Sequence, residues 1–348
     1  MACSSPLLGY RMTKVNTYTG EIESGRFRCD PVTHEPLTFI DKRYNFVSSK
    51  QYPDKVQRYD YFNRLKNTPG YECAELPCGR CLECRLEYSR QWANRCMLEA
   101  ASFPDNWFIT LTYDDEHLPL NDFHYPTLVK NELSNFMKSL RAYYKYHYNF
   151  DNIRFFGCGE YGGKYGRPHY HSILFNFPVY DLEFLYEKNG HAYFNSPSID
   201  KIWNKGFVVF TDVSWDTCAY VARYVVKKAK GENEFAYKDL AIQPEYCRMS
   251  RVPGIAKTYF DSHKDMIYKF DKLTIPGVGP VRPSHYYDKL FDIDNPVRMY
   301  ELKDLRCKVA QARVDLELSQ TDLSPLQYNE NKHNLLVKKI ESLSRDEF

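Results

Sequence analysis

The chain has 348 residues, 47 of them basic and 45 acidic, and 16% are aromatic, including 30 tyrosines. This length predicts about two domains, and the balanced charge excludes uniform positive charge as a means of binding nucleic acid, so any such surface must be local. No segment approaches roughly 18 consecutive apolar residues, so no transmembrane helix and no membrane partner are predicted. The N-terminus lacks a basic stretch followed by an apolar segment, so the 11 cysteines are expected to be reduced thiols or metal ligands in a cytosol.

A cysteine triplet marks the end of the first region of the chain. Residues 1–75 show no sustained periodicity and are predicted to form a few short strands of unknown role. Cys78, Cys81 and Cys84 follow at intervals of three, a pattern for which chance predicts about 0.01 occurrences. With Cys73 as a fourth thiolate they would form a structural zinc site. The alternative is that such short intervals suit a helix that binds no metal.

The middle of the chain alternates between strand and helix patterns. Helices are predicted from the cysteines to about residue 101, after residue 126, and from an N-cap at Ser214 to about residue 228. Strands are predicted at 107–113, 153–160, 169–177 and 206–211. The order strand, helix, hairpin, strand, helix predicts an α+β fold with an antiparallel sheet.

Two histidines and a glutamate are candidate metal ligands. His169 and His171 are two residues apart on a predicted strand, so their side chains point to the same face. Glu160 ends the preceding strand, and antiparallel pairing would place it opposite the histidines. Two imidazoles and a carboxylate form a three-ligand metal site with open positions. The alternatives are a chance histidine spacing and a solvent-facing carboxylate.

Tyr220 and Tyr224 lie on one face of a predicted helix, and Lys227 and Lys228 follow within a turn of Tyr224. The spacing alone carries little weight, because chance predicts about 2.6 such pairs among the tyrosines. Beside a metal site, however, a phenol becomes a candidate nucleophile towards a polarised phosphodiester, and a lysine favours the phenolate. The alternative is the aromatic face of a core helix.

Three segments resemble, in order, the three motifs of HUH endonucleases. They are residues 108–112 (FITLT), 156–171 (FGCGEYGGKYGRPHYH) and 220–228 (YVARYVVKK). Residues 77–93 (PCGRCLECRLEYSRQWA) and 249–255 (MSRVPGI) are similar to the rolling-circle replication initiators of gokushovirus-type microviruses. The similarity covers about residues 75–290.

This resemblance implies a metal-dependent DNA endonuclease and ligase. One tyrosine would cut the origin strand and keep the 5′-phosphate, which leaves a 3′-hydroxyl for the host polymerase, and the second would act after one round so that the circle is closed. The implied partners are the single-stranded DNA origin and the host helicase and polymerase, in the cytoplasm of the bacterial host. The implied site comprises nucleophiles Tyr220 and Tyr224, an assisting Lys227, and Mg²⁺ or Mn²⁺ on His169, His171 and Glu160.

Further residues are predicted to contact DNA. Thr110 and Thr112 would shape a DNA groove, with ordinary strand threonines as the alternative. Basic residues interleaved with tyrosines would bind phosphates and help to stack bases; these are Arg223, Lys228, Arg248 and Arg251.

The expected architecture is α+β: an HUH-type, ferredoxin- or RRM-like antiparallel sheet with helices on one face, a Cys-rich N-terminal region and a helical tail broken near Pro325. The expected domains are 1–75, the endonuclease domain 76–230, a basic aromatic DNA-contacting extension 231–295, and the tail 296–348. Rival functions are a plasmid relaxase or single-strand transposase of the same superfamily, a non-catalytic zinc-dependent nucleic-acid-binding protein, and a metal-dependent oxygenase.

Overall fold

The computed structural model of the chain describes residues 3–15, 22–29, 36–41, 44–163, 166–226 and 237–341. The chain divides into two compact units: the first runs to Arg85 and includes the helix Pro325–Glu341, and the second is Leu86–Ser324. The sequence predicted boundaries near residues 75, 230 and 295. In the structure, the described part of the expected extension and the first helix of the tail belong to the second unit.

The first unit is built on a sheet of short antiparallel strands. Strand β1 (Leu7–Val15) pairs on one side with β5 (Tyr71–Leu76) and on the other with β2 (Ile22–Cys29) and β4 (Asn45–Phe46), and β3 (Pro36–Asp41) pairs with β2. Helix α1 (Lys55–Lys66) begins at Asp54, whose carboxylate accepts a hydrogen bond from the Gln57 N–H at 3.0 Å. The pairing of β1 with β5 starts at Leu7 opposite Leu76, so the residues just beyond that end come together.

The second unit contains a seven-stranded sheet in the order β12-β7-β8-β6-β11-β10-β9, and all neighbouring strands are antiparallel. This confirms the predicted fold class. The strands are β6 (Asn106–Tyr113), β7 (Arg154–Tyr161), β8 (Pro168–Phe175), β9 (Glu183–Lys188), β10 (His191–Asn195), β11 (Gly206–Asp212) and β12 (Tyr246–Met249). The helices between and before them are α2 (Leu82–Ala100), α3 (Glu132–Tyr148), α4 (Pro197–Trp203) and α5 (Trp215–Val226).

Helices cover both faces of this sheet, whereas the sequence predicted helices on one face. On one face, Phe156 and Ile173 pack with residues of α2 and α5. On the other, Ile109 and Leu174 pack with residues of α3 and α4. Seven of the eight residues of β7 are buried, because a strand covered on both sides has no solvent-facing row.

The chain continues beyond the sheet as a helical layer. It comprises α6 (Lys257–Phe270), the hairpin β13 (Leu273–Ile275) and β14 (Gly279–Val281), α7 (His285–Asp294), and α8 (Pro296–Ser319). Arg306 of α8 binds Asp271, at the end of α6, and Asp288 of α7, so one guanidinium joins three helices. The predicted break in the tail is confirmed, since α9 (Pro325–Glu341) begins at Pro325. Among the described residues, no helix is both long enough and apolar enough to span a bilayer.

Candidate active site

The candidate metal ligands lie on the two central strands of the hairpin β7–β8. Glu160 of β7 stands opposite His169 of β8, and His171 of β8 stands opposite Thr110 of β6. Since side chains alternate between faces, Glu160, His169 and His171 project from the same face of the sheet, the face on which α5 packs. The antiparallel pairing that the sequence predicted therefore brings the three side chains together.

One carboxylate oxygen is shared by both imidazoles. Glu160 Oε1 is 2.8 Å from His169 Nε2 and 2.9 Å from His171 Nε2, and a ligand atom from each of the three residues lies within 4.8 Å of the others. Glu160 is 2% exposed and His171 3%. Such a compact, buried group of one oxygen and two nitrogen donors suits a divalent cation.

The other ring nitrogens already have partners. His169 Nδ1 is 3.1 Å from the carbonyl oxygen of Arg167, to which only an N–H can donate. His171 Nδ1 is 2.9 Å from the hydroxyl of Thr110. Both rings thus present Nε2 to Glu160, as expected when a neighbour fixes the orientation of a ligating histidine.

Two buried polar atoms of the site lack a hydrogen-bond partner within the described structure. They are Glu160 Oε2 and His171 Nε2, the latter because its short approach to Glu160 is not aligned as a hydrogen bond. Leaving buried polar groups unpaired costs about 1–3 kcal/mol each. A cation bound between the three side chains would offset that cost, so these residues fit a divalent ion.

The electrostatics favour an ionised carboxylate. Burial opposes ionisation of Glu160, but the hydrogen bonds and positive charge offered by the two histidines hold the pKa of Glu160 at about 2. Burial also lowers the pKa of His171, which keeps that ring neutral. At His169 the effect of burial is outweighed by Glu160, and the pKa is raised. An anionic oxygen and a neutral imidazole are the protonation states that bind metal.

Two glycines of the motif FGCGEY lie on the opposite face of β7 from Glu160. A Cβ at Gly157 would be 2.8 Å from both the His171 carbonyl oxygen and the Ser172 hydroxyl, and one at Gly159 would be 2.9 Å from Leu128. These separations are too short for a side chain. The glycines therefore let the neighbouring strand and the apolar residues before and in α3 approach closely behind the site.

Tyr220 of α5 is the described tyrosine closest to the candidate ligands. Its hydroxyl donates a hydrogen bond of 2.6 Å to Glu160 Oε1, and its ring meets the His171 ring edge-on with centroids 5.0 Å apart. Burial and the charge of Glu160 raise the pKa of Tyr220. A cation at the site would reverse that electrostatic effect and favour the phenolate.

Other predicted residues have more varied surroundings. The Thr112 hydroxyl donates to the Phe207 carbonyl at 3.2 Å, so it supports β11 rather than a ligand. Arg223 is exposed and lies 5.4 Å from the Tyr220 ring centroid. Arg248 of β12 lies over the Tyr246 ring, and Arg251 is exposed in the following turn. The Tyr224 side chain, Lys227 and Lys228 lie outside the described residues.

The segment 249–255 is held in place by a buried ion pair that sequence reasoning missed. Glu99 of α2 is 3% exposed, accepts a hydrogen bond from the Arg154 guanidinium, and accepts another from the backbone N–H of Ala256. Arg95 donates to the Ile255 carbonyl at 2.9 Å. This part of the motif therefore serves to fix the loop after β12, with Arg251 at its surface.

The cysteine triplet has a different fourth neighbour from the one predicted. The thiols of Cys78, Cys81 and Cys84 group with that of Cys3, and the four sulfur atoms lie within 4.8 Å of one another. Cys73 is in β5 opposite Tyr10, and the extended strand to Leu76 separates it from the triplet by about 10 Å. No signal in the cysteine spacing identifies Cys3, because it precedes Cys78 by 75 residues.

Comparison with known proteins matches the part of the chain that builds this site. A family model for the replication-associated protein ORF2 matches residues 106–229, from β6 to just beyond α5. Replication-associated protein ORF2 of Spiroplasma virus 4 is 35% identical over 313 residues, which cover 86% of this chain and 93% of that protein. The chain belongs to the microvirus replication-associated proteins.

Two further members of the replication-associated family are similar to the chain. Replication-associated protein VP4 of Bdellovibrio phage phiMH2K is 31% identical over 219 residues, covering 61% of this chain and 66% of that protein. Replication-associated protein ORF4 of Chlamydia phage 1 is 31% identical over 266 residues, covering 74% and 64%. No solved structure matches the chain. The family expected from the sequence motifs is therefore confirmed, and the candidate ligands and Tyr220 all fall within the matched segment.

Proposed function

We propose that this chain nicks and rejoins single-stranded DNA at a phage origin through a 5′-phosphotyrosine intermediate and so initiates rolling-circle replication. The observation that carries the proposal is the Tyr220 hydroxyl, 2.6 Å from the Glu160 oxygen that lies within 2.9 Å of both histidines. Phosphodiester transfer to a side chain needs a nucleophile beside a site of positive charge, and Tyr220 lies beside a group of ligands that suits a cation.

The residues divide the chemistry between them. Mg²⁺ or Mn²⁺ bound by Glu160, His169 and His171 would polarise a phosphate oxygen of the bound strand. The Tyr220 oxygen attacks phosphorus as its phenolic proton is released to water, and Lys227 stabilises the phenolate. The bond from phosphorus to the 3′ oxygen breaks, this oxygen takes up a proton to become the 3′-hydroxyl, and the 5′-phosphate stays on Tyr220.

The second tyrosine allows a second transfer. Tyr224 follows Tyr220 by about one turn of α5, and we propose that it cuts the regenerated origin after one round of synthesis. The released 3′-hydroxyl then attacks the first phosphotyrosine, which frees Tyr220 and closes the circle. The proposed partners are the origin strand, held by basic residues, and the helicase and polymerase of the host, in whose cytoplasm the reaction would take place. The basic residues proposed to hold the strand are Arg223, Lys228, Arg248 and Arg251.

The test is to look for the covalent adduct. Purified protein is incubated with Mg²⁺ or Mn²⁺ and labelled single-stranded fragments tiled across the encoding genome, and a denaturing gel is read for label that migrates with the protein. We expect a metal-dependent adduct that is lost in the double variant Tyr220→Phe/Tyr224→Phe and in His169→Ala. Tyr146→Phe, at an exposed position of α3, is the matched control and should keep the adduct.

The possible results separate the proposal from its rivals. The two single tyrosine variants show which residue attacks first. An adduct that survives the double substitution would place the nucleophile elsewhere. If no fragment gives an adduct with either ion while DNA binding persists, the chain is a non-catalytic nucleic-acid-binding protein and the proposal is wrong.

A further inference from the structure

Four cysteine thiols of the first unit converge where strands β1 and β5 end and α2 begins. Cys3 precedes β1, Cys78 and Cys81 lie in the turn after β5, and Cys84 is in the first turn of α2. The four sulfur atoms lie within 4.8 Å of one another, and those of Cys3 and Cys81 are 3.5 Å apart. All four residues are half-buried and are free thiols in the structure.

The backbone around these cysteines donates hydrogen bonds to sulfur. The N–H groups of Arg80 and Cys81 point to Cys78 Sγ at 3.3 and 3.2 Å, and the N–H of Cys78 points to Cys3 Sγ at 3.4 Å. Gly79, with a φ of 70°, makes the turn that aims these groups. Backbone donors of this kind stabilise negative charge on sulfur, which neutral thiols would not need.

We propose that Cys3, Cys78, Cys81 and Cys84 bind one structural Zn²⁺. Zinc takes four thiolates in a tetrahedron with Zn–S distances of about 2.3 Å, which sets the sulfur–sulfur distances at about 3.8 Å. The observed grouping has this size. Four protein ligands fill the coordination shell, so the ion has no open position for a substrate and its role is to hold the fold.

The site would fasten the start of the chain. Ser4 donates to Glu83 at 2.9 Å, and the same carboxylate is 2.6 Å from His333 Nδ1 of α9. Residues near a terminus are poorly ordered unless other contacts hold them. Zinc on Cys3 would supply that contact and join the segment before β1 to the first turn of α2, beside the carboxylate that binds α9.

Zinc content and coordination test the site directly. The full chain is purified with His169→Ala and His171→Ala, so that zinc bound at the other candidate site does not contribute. Metal is counted by mass spectrometry, and the number of sulfur ligands is measured by X-ray absorption at the zinc edge. We expect one zinc per chain with four sulfur neighbours at about 2.3 Å. This measurement needs no cysteine substitution, so it remains decisive if a cysteine variant fails to fold.

A matched pair of variants assigns the fourth ligand. Loss of a residue that only supports a ligand costs about 10–100-fold in affinity, so Cys3→Ala should lose zinc to a competing chelator at least about 100-fold more readily. Cys73→Ala, in the same unit and near the triplet in sequence, should bind zinc like the parent protein.

Several results would overturn the proposal. They are a chain without stoichiometric zinc, iron in place of zinc, three sulfur neighbours instead of four, loss of zinc in Cys73→Ala but not in Cys3→Ala, and a disulfide between Cys3 and Cys81 in protein alkylated before digestion. None of these measurements depends on nicking, so the zinc site can fail while the proposed function stands, and the reverse.

Discussion

Two groups of candidate metal ligands among the described residues differ in how the chain assembles them. Glu160, His169 and His171 come from one hairpin, and backbone pairing alone sets them face to face. The cysteine group joins a turn and the start of a helix to Cys3, which is 75 residues from Cys78. The first group is thus local in sequence, and the second closes a long loop of the chain.

The chemistry of the two groups differs in the same sense. Two imidazoles and a carboxylate leave coordination positions open, and a tyrosine hydroxyl lies beside them, which suits a reaction. Four thiolates leave no position open, which suits a structural ion. A short hairpin can hold reacting groups in register, whereas a distant fourth ligand contributes by restricting the unfolded chain, at an entropic benefit that grows with loop length.

Removing the charge of Glu160 should separate the two groups most strongly. Glu160→Gln keeps the shape of the side chain but removes the anionic ligand. Since a catalytic metal supplies several kcal/mol of transition-state stabilisation, adduct formation should fall about 1000-fold, while zinc on the cysteines is unchanged. Rates of adduct formation and zinc content are measured on the same preparations.

Glu132→Gln is the control for this variant. Glu132 is also a buried carboxylate of the second unit, but it binds Tyr113 and Lys205 on the other face of the sheet. Its substitution should leave the adduct rate within a few-fold. An equal loss in both variants would mean that any buried carboxylate of the unit matters through folding alone.

Thr110 tests whether the histidine ring is held by its neighbour. Thr110→Val removes the hydroxyl 2.9 Å from His171 Nδ1 at nearly constant volume. Such supporting residues contribute about 10–100-fold to metal affinity, so the Mn²⁺ concentration needed for half-maximal adduct should rise by that factor. Thr112→Val, whose hydroxyl binds a backbone carbonyl instead, should shift it much less. Equal shifts would argue that strand stability, not ring orientation, is responsible.

Gly157 tests how closely the sheet is packed behind the histidines. The Cβ of Gly157→Ala would be 2.8 Å from the His171 carbonyl oxygen, and overpacking of this kind costs about 1–3 kcal/mol. Gly162→Ala is the control, since its Cβ would have no neighbour closer than 3.6 Å. Urea unfolding measures both, and a Gly157→Ala variant as stable as the control would show that the strands can separate without cost.

The sequence was enough to predict the first group because its members are close along the chain. Alternation on a strand and antiparallel pairing are local rules, so the positions of Glu160 and His171 follow once the hairpin is recognised. The helices on the second face of the sheet were missed, although consecutive apolar residues such as Phe155 and Phe156 indicate a strand buried on both sides. Cys3 and the pairing of Glu99 with Arg154 depend on tertiary contacts that no spacing encodes.

The smallest expected effect concerns the turn that the cysteine group requires. Gly79 has a φ of 70°, and a Cβ there would meet nothing within 4 Å, so backbone strain is the one penalty for a side chain. Gly79→Ala should cost about 1–2 kcal/mol, which corresponds to roughly a 5–30-fold weaker hold on zinc if the strain is felt in the metal-bound state. Gly79→Asn should cost less, because asparagine adopts left-handed conformations more readily. Zinc release to a chelator ranks the three proteins. The order glycine, asparagine, alanine would show that the turn aiming N–H groups at Cys78 belongs to the metal site, and equal release rates would separate the turn from the metal.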